Sequence, residues 1–88
     1  MKFSQQVIAA LAAMHPGVRR DIRRALDDLN AGKKRDTKAL SDDLSGYYRL
    51  RIGKYRAIYS FDSLTGELMI RFLKGRSTVY ETFQPPQD

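Results

Sequence analysis

The apolar residues change their spacing once along the chain, at Gly46, and this change limits the folds open to the sequence. In the two stretches between residues 5 and 30 they recur every three or four positions, which is typical of amphipathic helices, and after Gly46 they alternate with polar residues, as in strands that bury one face. Helices that precede strands predict an α+β fold in which the helices pack on one face of an antiparallel sheet and leave the other face free.

Two helices are predicted before Gly46. The first covers residues 5–14, with Ser4 as its N-cap, and the second begins at Pro16, a residue that suits the first turn of a helix. Asn30-Ala31-Gly32 ends the second helix. The apolar stripes are Val7, Leu11 and Met14 in the first helix and Val18, Ile22, Leu26 and Leu29 in the second. Together they predict a helical hairpin.

Three strands of a meander follow. The first carries Tyr48, Leu50 and Ile52 on its buried side, Gly53-Lys54 makes a tight turn, and the second covers Tyr55 to Phe61. The third is marked by Leu68, Ile70 and Phe72, and Thr78–Phe83 adds a fourth short strand. Residues 33–46 lack periodicity and predict a connecting loop that Leu40 and Leu44 anchor to the core. We therefore expect an α+β fold with a small antiparallel sheet of three to four strands.

Length and composition exclude several classes of protein. A chain of 88 residues has room for one domain, which we assign to residues 1–88. It has no cysteine, so a disulfide framework and thiol chemistry are excluded, and a reducing cytoplasm fits best. The longest apolar run, residues 7–14, is too short to cross a bilayer, so no membrane is expected. The only histidine, His15, lies between the helices, where a loop or capping role is expected, and neither a metal nor a cofactor is expected.

The charge of the chain points to an anionic partner. Sixteen Lys and Arg against ten Asp and Glu give a net charge of +6, which attracts polyanions or an acidic protein. Arg49 and Arg51 are two positions apart and share the face of the first strand that points away from the helices, and Arg56 follows on the next strand. Lys74, Arg76 and Tyr80 come after the third strand, where folding gathers them with these arginines. The alternative is a solvated basic face that pairs with a protein partner or with nothing.

Three segments resemble a known family. Residues 44–59, LSGYYRLRIGKYRAIY, are similar to the signature of the RelE/ParE superfamily of toxins from type II toxin–antitoxin systems. Residues 74–80, KGRSTVY, resemble the closing basic segment of that family, and residues 18–23, VRRDIR, resemble its second helix. The resemblance covers nearly the whole chain and implies a RelE-like fold.

The resemblance also implies roles for single residues. RelE-like members are ribosome-dependent endonucleases that cut mRNA in the A site, whereas ParE-like members inhibit DNA gyrase and lack most of the catalytic side chains. The matching catalytic positions are Arg49, Arg51, Arg56, Arg76 and Tyr80, with Lys74 and Arg76 competing for one closing basic position. Further RNA contacts are expected from Lys54, Lys74, Arg19 and Arg23. Arginine at positions 49 and 51, where the best-known branch has lysine, suits charge stabilisation better than proton abstraction.

The function expected from the resemblance is that of a toxin that cuts mRNA on the ribosome. Attack of a ribose 2′-hydroxyl on the adjacent phosphate needs cations around the phosphate and a group such as Tyr80 to orient or remove the proton, and it needs no metal. The expected partners are a cognate antitoxin, the ribosome and mRNA. Two alternatives stay open: a ParE-like gyrase inhibitor without nuclease activity, and an inactive member that only binds an antitoxin.

Overall fold

Two helices lie on one face of a five-stranded sheet. The computed structural model describes residues 1–75, Phe83 and Pro85. Its elements are β1 (Lys2–Phe3), α1 (Gln5–Ala12), α2 (Pro16–Asn30), β2 (Thr37–Ala39), a 3-10 turn (Asp42–Leu44), β3 (Tyr48–Ile52), β4 (Tyr55–Phe61) and β5 (Leu68–Gly75). The strand predicted at Thr78–Phe83 falls, apart from Phe83 itself, outside the described residues. Within the described part of the chain, neither helix has the length and apolar character needed to cross a membrane.

The sheet contains more strands than the sequence predicts. Its order is β1-β5-β4-β3-β2, with β1 parallel to β5 and the other neighbours antiparallel. The prediction of a loop throughout residues 33–46 is wrong, because β2 pairs with β3 and a 3-10 turn follows it. All three residues of β2 are exposed at the edge of the sheet, so they carry no alternation of apolar and polar side chains.

Both helix starts agree with the sequence. The Ser4 hydroxyl accepts a hydrogen bond of 3.2 Å from the Val7 amide at the start of α1, and Nδ1 of His15 accepts one of 3.2 Å from the Gly17 amide at the start of α2. Pro16 occupies the first turn of α2. The predicted capping role of His15 is therefore confirmed, and these bonds satisfy amides that lack a partner inside their helices.

The main core lies between the helices and the sheet. It is built from Val7, Leu11, Ile22, Ala25, Leu26, Leu50, Ala57, Tyr59, Leu68, Ile70 and Leu73. Burial of a Leu or Ile side chain contributes about 1.5–3 kcal/mol, so these contacts are the main stabilising interactions of the fold. Because side chains alternate along a strand, Arg49, Arg51, Arg56 and Ile58 project from the opposite face, which we call the outer face.

A register shift in β5 corrects one core prediction. Ile58 pairs with Phe72 while its neighbour Tyr59 pairs with Ile70, so one residue of β5, Arg71, is left over. Because of the extra residue, the side chains of β5 after Arg71 project from the opposite faces to those that strict alternation would give them. Leu73 therefore enters the main core, and Phe72, which the alternation of β5 placed in the core, lies on the outer face instead.

The free edge of β5 is covered by the start of α1. Beyond the short strand β1, the Ser4 hydroxyl donates to the Arg71 carbonyl at 2.7 Å. The carboxamide of Gln6 then pairs with the peptide groups of Leu73: Nε2 donates to the carbonyl at 2.7 Å and Oε1 accepts from the amide at 2.9 Å. The Gln6 side chain thus replaces one residue of a pairing strand and fixes β5 immediately before Lys74.

Candidate nucleic-acid interface

Three basic residues form a row across the outer face. Arg51 of β3 lies directly opposite Arg56 of β4, and Arg56 lies directly opposite Lys74 of β5. Residues that face each other on neighbouring strands share a face of the sheet, and two strand spacings amount to about 10 Å. The sequence prediction that Arg51 and Arg56 share the face opposite to the helices is confirmed, and Lys74 joins them. We call these three residues the basic row.

The turn between β3 and β4 holds the central member of the basic row. Nη1 of Arg56 donates to the carbonyl oxygens of Gly53 and Tyr55, each at 2.9 Å. Gly53 has a φ of 56°, a conformation that side chains other than glycine rarely adopt, and it allows the tight turn. Lys54 occupies the exposed position of this turn, next to the row. The guanidinium is therefore oriented by backbone before any ligand binds.

The basic row brings like charges together. Within residues 1–75, Phe83 and Pro85, the ion pairs involve Glu67, Asp28 and Asp36, and none includes Arg51, Arg56 or Lys74. Like charges that face each other across strands destabilise a sheet. A bound anion relieves this repulsion, so the arrangement fits an anionic ligand.

Arg49 has a different environment from the basic row. Its Nη2 donates to Asp36 Oδ1 at 2.9 Å, and its side chain is only 17% exposed. Its Nε is buried without a hydrogen-bond partner among the described residues. Lys38, which the loop prediction left out of the candidate residues, lies opposite Arg49 on β2. Arg49 therefore lies on the predicted face, but Asp36 neutralises its charge.

A second apolar cluster lies on the outer face beside these cations. It contains Ile58 and Phe83, both buried, with Leu40, Leu44, Tyr47 and Phe72 packed against them. Leu40 and Leu44 anchor their segment here and not in the main core, which corrects the sequence prediction. The outer face is therefore not free throughout, because part of it is covered by Phe83 and by the segment between β2 and β3.

Two tyrosines of the sheet region, Tyr59 and Tyr47, have different surroundings. Tyr59 is 4% exposed and stacks on Tyr48 at 5.3 Å between ring centroids, on the helix side of the sheet. Burial raises the pKa of the Tyr59 hydroxyl, although a hydrogen bond with the Thr37 side chain acts in the other direction. Tyr59 is thus a core residue. Tyr47 remains half-buried on the outer face.

The other candidates are not gathered into the basic row. Arg19 and Arg23 lie on α2, on the opposite side of the sheet, where Nη2 of Arg19 donates to the Met14 carbonyl at 3.0 Å and the Arg23 guanidinium lies 4.9 Å from the centre of the Phe3 ring. Arg76 and Tyr80 fall outside the described residues. Residues 1–75, Phe83 and Pro85 contain no cluster of His, Cys, Asp or Glu side chains that could hold a metal ion.

The fold and sequence were compared with known proteins. No protein-family model matches the chain, and no curated protein sequence does so either. Among solved structures, RelE in an archaeal RelE–RelB complex from Pyrococcus horikoshii OT3 is 30% identical, with a TM-score of 0.69, over 86% of this chain and 92% of that one. The RelBE2 toxin–antitoxin complex from Mycobacterium tuberculosis matches at 25% identity and a TM-score of 0.71, over 84% of this chain and 93% of that one.

A third neighbour extends the structural similarity over almost the full chain. A RelB–RelE antitoxin–toxin complex from Methanococcus jannaschii matches with a TM-score of 0.72 over 96% of this chain and 100% of that one, at 20% identity. At that identity the match concerns the fold alone, whereas the Pyrococcus protein is similar in sequence as well. Fold, sequence similarity and the signature in residues 44–59 agree, and the chain belongs to the RelE/ParE superfamily of toxins.

Proposed function

We propose that this protein is the toxin of a type II toxin–antitoxin module and that it cleaves mRNA on the ribosome. The observation that carries the proposal is the basic row: Arg51, Arg56 and Lys74 stand side by side on one face, with no carboxylate paired to them among the described residues. A ParE-like gyrase inhibitor has no evident need for three such cations within about 10 Å on one face.

The reaction that suits such a site is attack by a ribose 2′-hydroxyl on the adjacent phosphate. A bond forms between the 2′-oxygen and phosphorus, the bond from phosphorus to the 5′-oxygen breaks, and a 2′,3′-cyclic phosphate and a 5′-hydroxyl result. Negative charge grows on the non-bridging oxygens during the attack. Guanidinium groups stabilise this charge through paired hydrogen bonds, and donors that are already oriented contribute most.

The proposed roles follow from position. Arg56, whose guanidinium is held by two carbonyl groups, contacts the scissile phosphate, and Arg51 and Lys74 bind it or its neighbours from either side. Lys54 in the turn contacts the RNA backbone, and Arg49 contributes once RNA competes with Asp36 for it.

The proton transfers are proposed for residues of the C-terminal segment. Tyr80 takes the proton from the 2′-hydroxyl, a role that cations beside it would support by favouring the phenolate form. Either Arg76 or Lys74 fills the closing basic position. The leaving 5′-oxygen receives a proton from water or from a group at this position.

Two partners follow from the proposal. The solved neighbours from Methanococcus jannaschii and Pyrococcus horikoshii are complexes of RelE with RelB, and a net charge of +6 suits an acidic antitoxin that covers the outer face. The arginines of α2, Arg19 and Arg23 among them, contact ribosomal RNA phosphates without reading sequence.

The test is primer extension on mRNA from cells that express the protein briefly. We expect cuts in phase with codons, and we expect them to disappear in Arg56→Ala. Lys34→Ala, which removes an exposed lysine from the loop after α2, is the control and should cut as the unchanged protein does. Intact mRNA in growth-arrested cells would refute the nuclease, and DNA breaks without mRNA cuts would identify a gyrase inhibitor.

A further inference from the structure

A β-bulge in β5 places two cations on the outer face that a regular strand would separate. Arg71 and Lys74 are three positions apart, and such residues point to opposite faces of a regular strand. The pairing of β5 with β4 skips Arg71, so the alternation shifts by one residue before Lys74. Nε of Arg71 donates to Oγ of Ser60 at 3.0 Å, and Ser60 lies on the outer face because it follows Ile58 by two positions. Arg71 therefore shares the outer face with the basic row.

Two serines hold Arg71 in place. The Ser60 hydroxyl, which accepts the bond from Nε, belongs to a residue that is 7% exposed. The carbonyl of Arg71 accepts a hydrogen bond of 2.7 Å from the Ser4 hydroxyl, which also caps α1. Backbone and side chain of the bulged residue are thus both fixed. The terminal nitrogens of its guanidinium make no hydrogen bond to the described residues, so they can donate to a ligand in pairs.

The surroundings of Arg71 suit an anion. Within residues 1–75, Phe83 and Pro85, no carboxylate forms an ion pair with it. The acidic residue nearest in sequence, Glu67, pairs with the ammonium group of Met1 at 3.2 Å and lies 3.8 Å from Nζ of Lys2. A cleft of about 140 Å³ opens beside Arg71, and Lys2 and Met69 are among the residues that line it. An oriented guanidinium and room for a ligand group therefore occur together.

The distance from the basic row limits what kind of anion suits both places. Ser60 is four residues from Arg56 along β4, which amounts to about 13 Å. One phosphate cannot bridge this distance. Ile58 and Phe72, of the second apolar cluster, lie between the two places. A ligand that reaches both carries at least two negative groups with parts between them that can cover apolar surface, as a single strand of RNA does with its phosphates and bases.

We propose that Arg71 is a further RNA-binding residue, which contacts a second phosphate of the mRNA strand while the basic row holds the scissile one. The RNA then runs along β4, from Arg56 past Ile58 to Ser60. The choice of mRNA as the ligand rests on the proposed function, whereas contact with a single-stranded polyanion does not. Arg71 lies too far from the scissile phosphate to stabilise the charge that develops there, so its loss weakens binding more than it slows the chemical step.

Binding of two RNA probes that differ in length tests this contact. The first is a 2′-O-methyl oligouridylate of about eight nucleotides, a common size for single-strand sites, and it cannot undergo the attack. The second is a dinucleotide with a single phosphate. Arg71→Met keeps an unbranched side chain and removes the charge, so it should bind the longer probe about tenfold more weakly and reduce the salt slope of binding by about 0.7. The dinucleotide cannot reach from the basic row to Arg71, so its affinity should stay within about twofold.

Three further variants serve as controls. Lys34→Met removes an equal charge from an exposed loop position and should bind both probes as the unchanged protein does. Arg71→Lys keeps a cation on the bulge and should recover most of the affinity for the longer probe. Ser60→Ala removes the hydroxyl that orients the guanidinium and should weaken binding of the longer probe about threefold. Affinities are compared at a temperature at which every variant is folded, as its urea midpoint shows.

The outcomes separate this proposal from the proposed function. If Arg71→Met binds the longer probe as tightly as Lys34→Met does, the contact is overturned, and an acidic protein is left as the partner of this surface. Equal losses for both probes, or an unchanged protein that does not bind the longer probe, also overturn it. An unchanged protein that cuts no ribosome-bound mRNA overturns the proposed function, and the two probes then decide the role of Arg71 alone.

Discussion

The pairing of Gln6 with Leu73 leads to a stability prediction that can be worked out from the structure. Gln6→Met keeps the length and much of the volume of the side chain but deletes both hydrogen bonds to the Leu73 peptide groups, which measure 2.7 and 2.9 Å. Each such bond contributes about 0.5–1.5 kcal/mol net, so we expect the free energy of unfolding to fall by about 1–3 kcal/mol. Urea unfolding at neutral pH measures this difference.

A matched control and a pH series sharpen the same prediction. Gln5→Met changes the neighbouring glutamine, which is exposed, and should alter stability by less than about 0.5 kcal/mol. In Gln6→Glu one carboxyl oxygen replaces Nε2 and faces the Leu73 carbonyl oxygen. The ionised carboxylate is repelled by this carbonyl oxygen, whereas the protonated carboxyl can donate a hydrogen bond to it. The fold therefore raises the pKa of the introduced group above its unfolded value of about 4.3.

The sign of the pH effect follows. Gln6→Glu should be most stable below about pH 4 and should lose stability as the pH rises through the raised pKa. The reasoning would be refuted if Gln6→Met were as stable as Gln5→Met and if the stability of Gln6→Glu followed that of the unchanged protein at every pH.

Three further outcomes are expected. Leu26→Ala removes a fully buried side chain from α2 and should lower the free energy of unfolding by about 2–5 kcal/mol in urea melts. A loss below about 1 kcal/mol would contradict the placement of Leu26 in the core. Asp62 accepts hydrogen bonds from the amides of Thr65 and Leu64, which lower the pKa of its carboxyl. In thermal melts, the stability of the unchanged protein relative to Asp62→Ala should therefore be greatest well above the ordinary pKa of 3.8. This difference in stability should disappear as the pH falls through the lowered pKa. Asp36→Asn releases Arg49 from a partner that is 56% exposed, so it should change the free energy of unfolding by less than about 1 kcal/mol. It should also steepen the salt dependence of RNA binding by about one phosphate contact. An unchanged salt slope would show that Arg49 does not reach the RNA.

The sequence was sufficient to predict the helices and β3 because each of them buries one regular face, and turn residues between apolar runs marked β4 and β5. The α2 stripe follows the helical period and β3 alternates strictly, so local pattern and tertiary burial coincide. The face that carries Arg51 and Arg56 followed directly from that alternation, and the fold confirms it.

The remaining features depend on contacts that no local pattern records. β2 forms only because β3 lies beside it, and its three exposed residues show no periodicity. The extra residue Arg71 in β5 depends on the pairing with β4, which is why Phe72 was misplaced. The ion pair between Asp36 and Arg49 joins residues thirteen positions apart, and the burial of Phe83 depends on residues from three separate segments: β4, β5 and the chain between β2 and β3.

If the basic row stabilises the phosphate during cleavage, single-turnover cleavage of mRNA bound to purified ribosomes must depend on Arg56. Removal of one oriented donor to a developing oxyanion costs about a hundredfold to a thousandfold in rate, so Arg56→Ala should lose activity by that factor while its urea midpoint stays close to that of Lys34→Ala. Cleavage by Arg56→Ala at the rate of the unchanged protein would contradict the account.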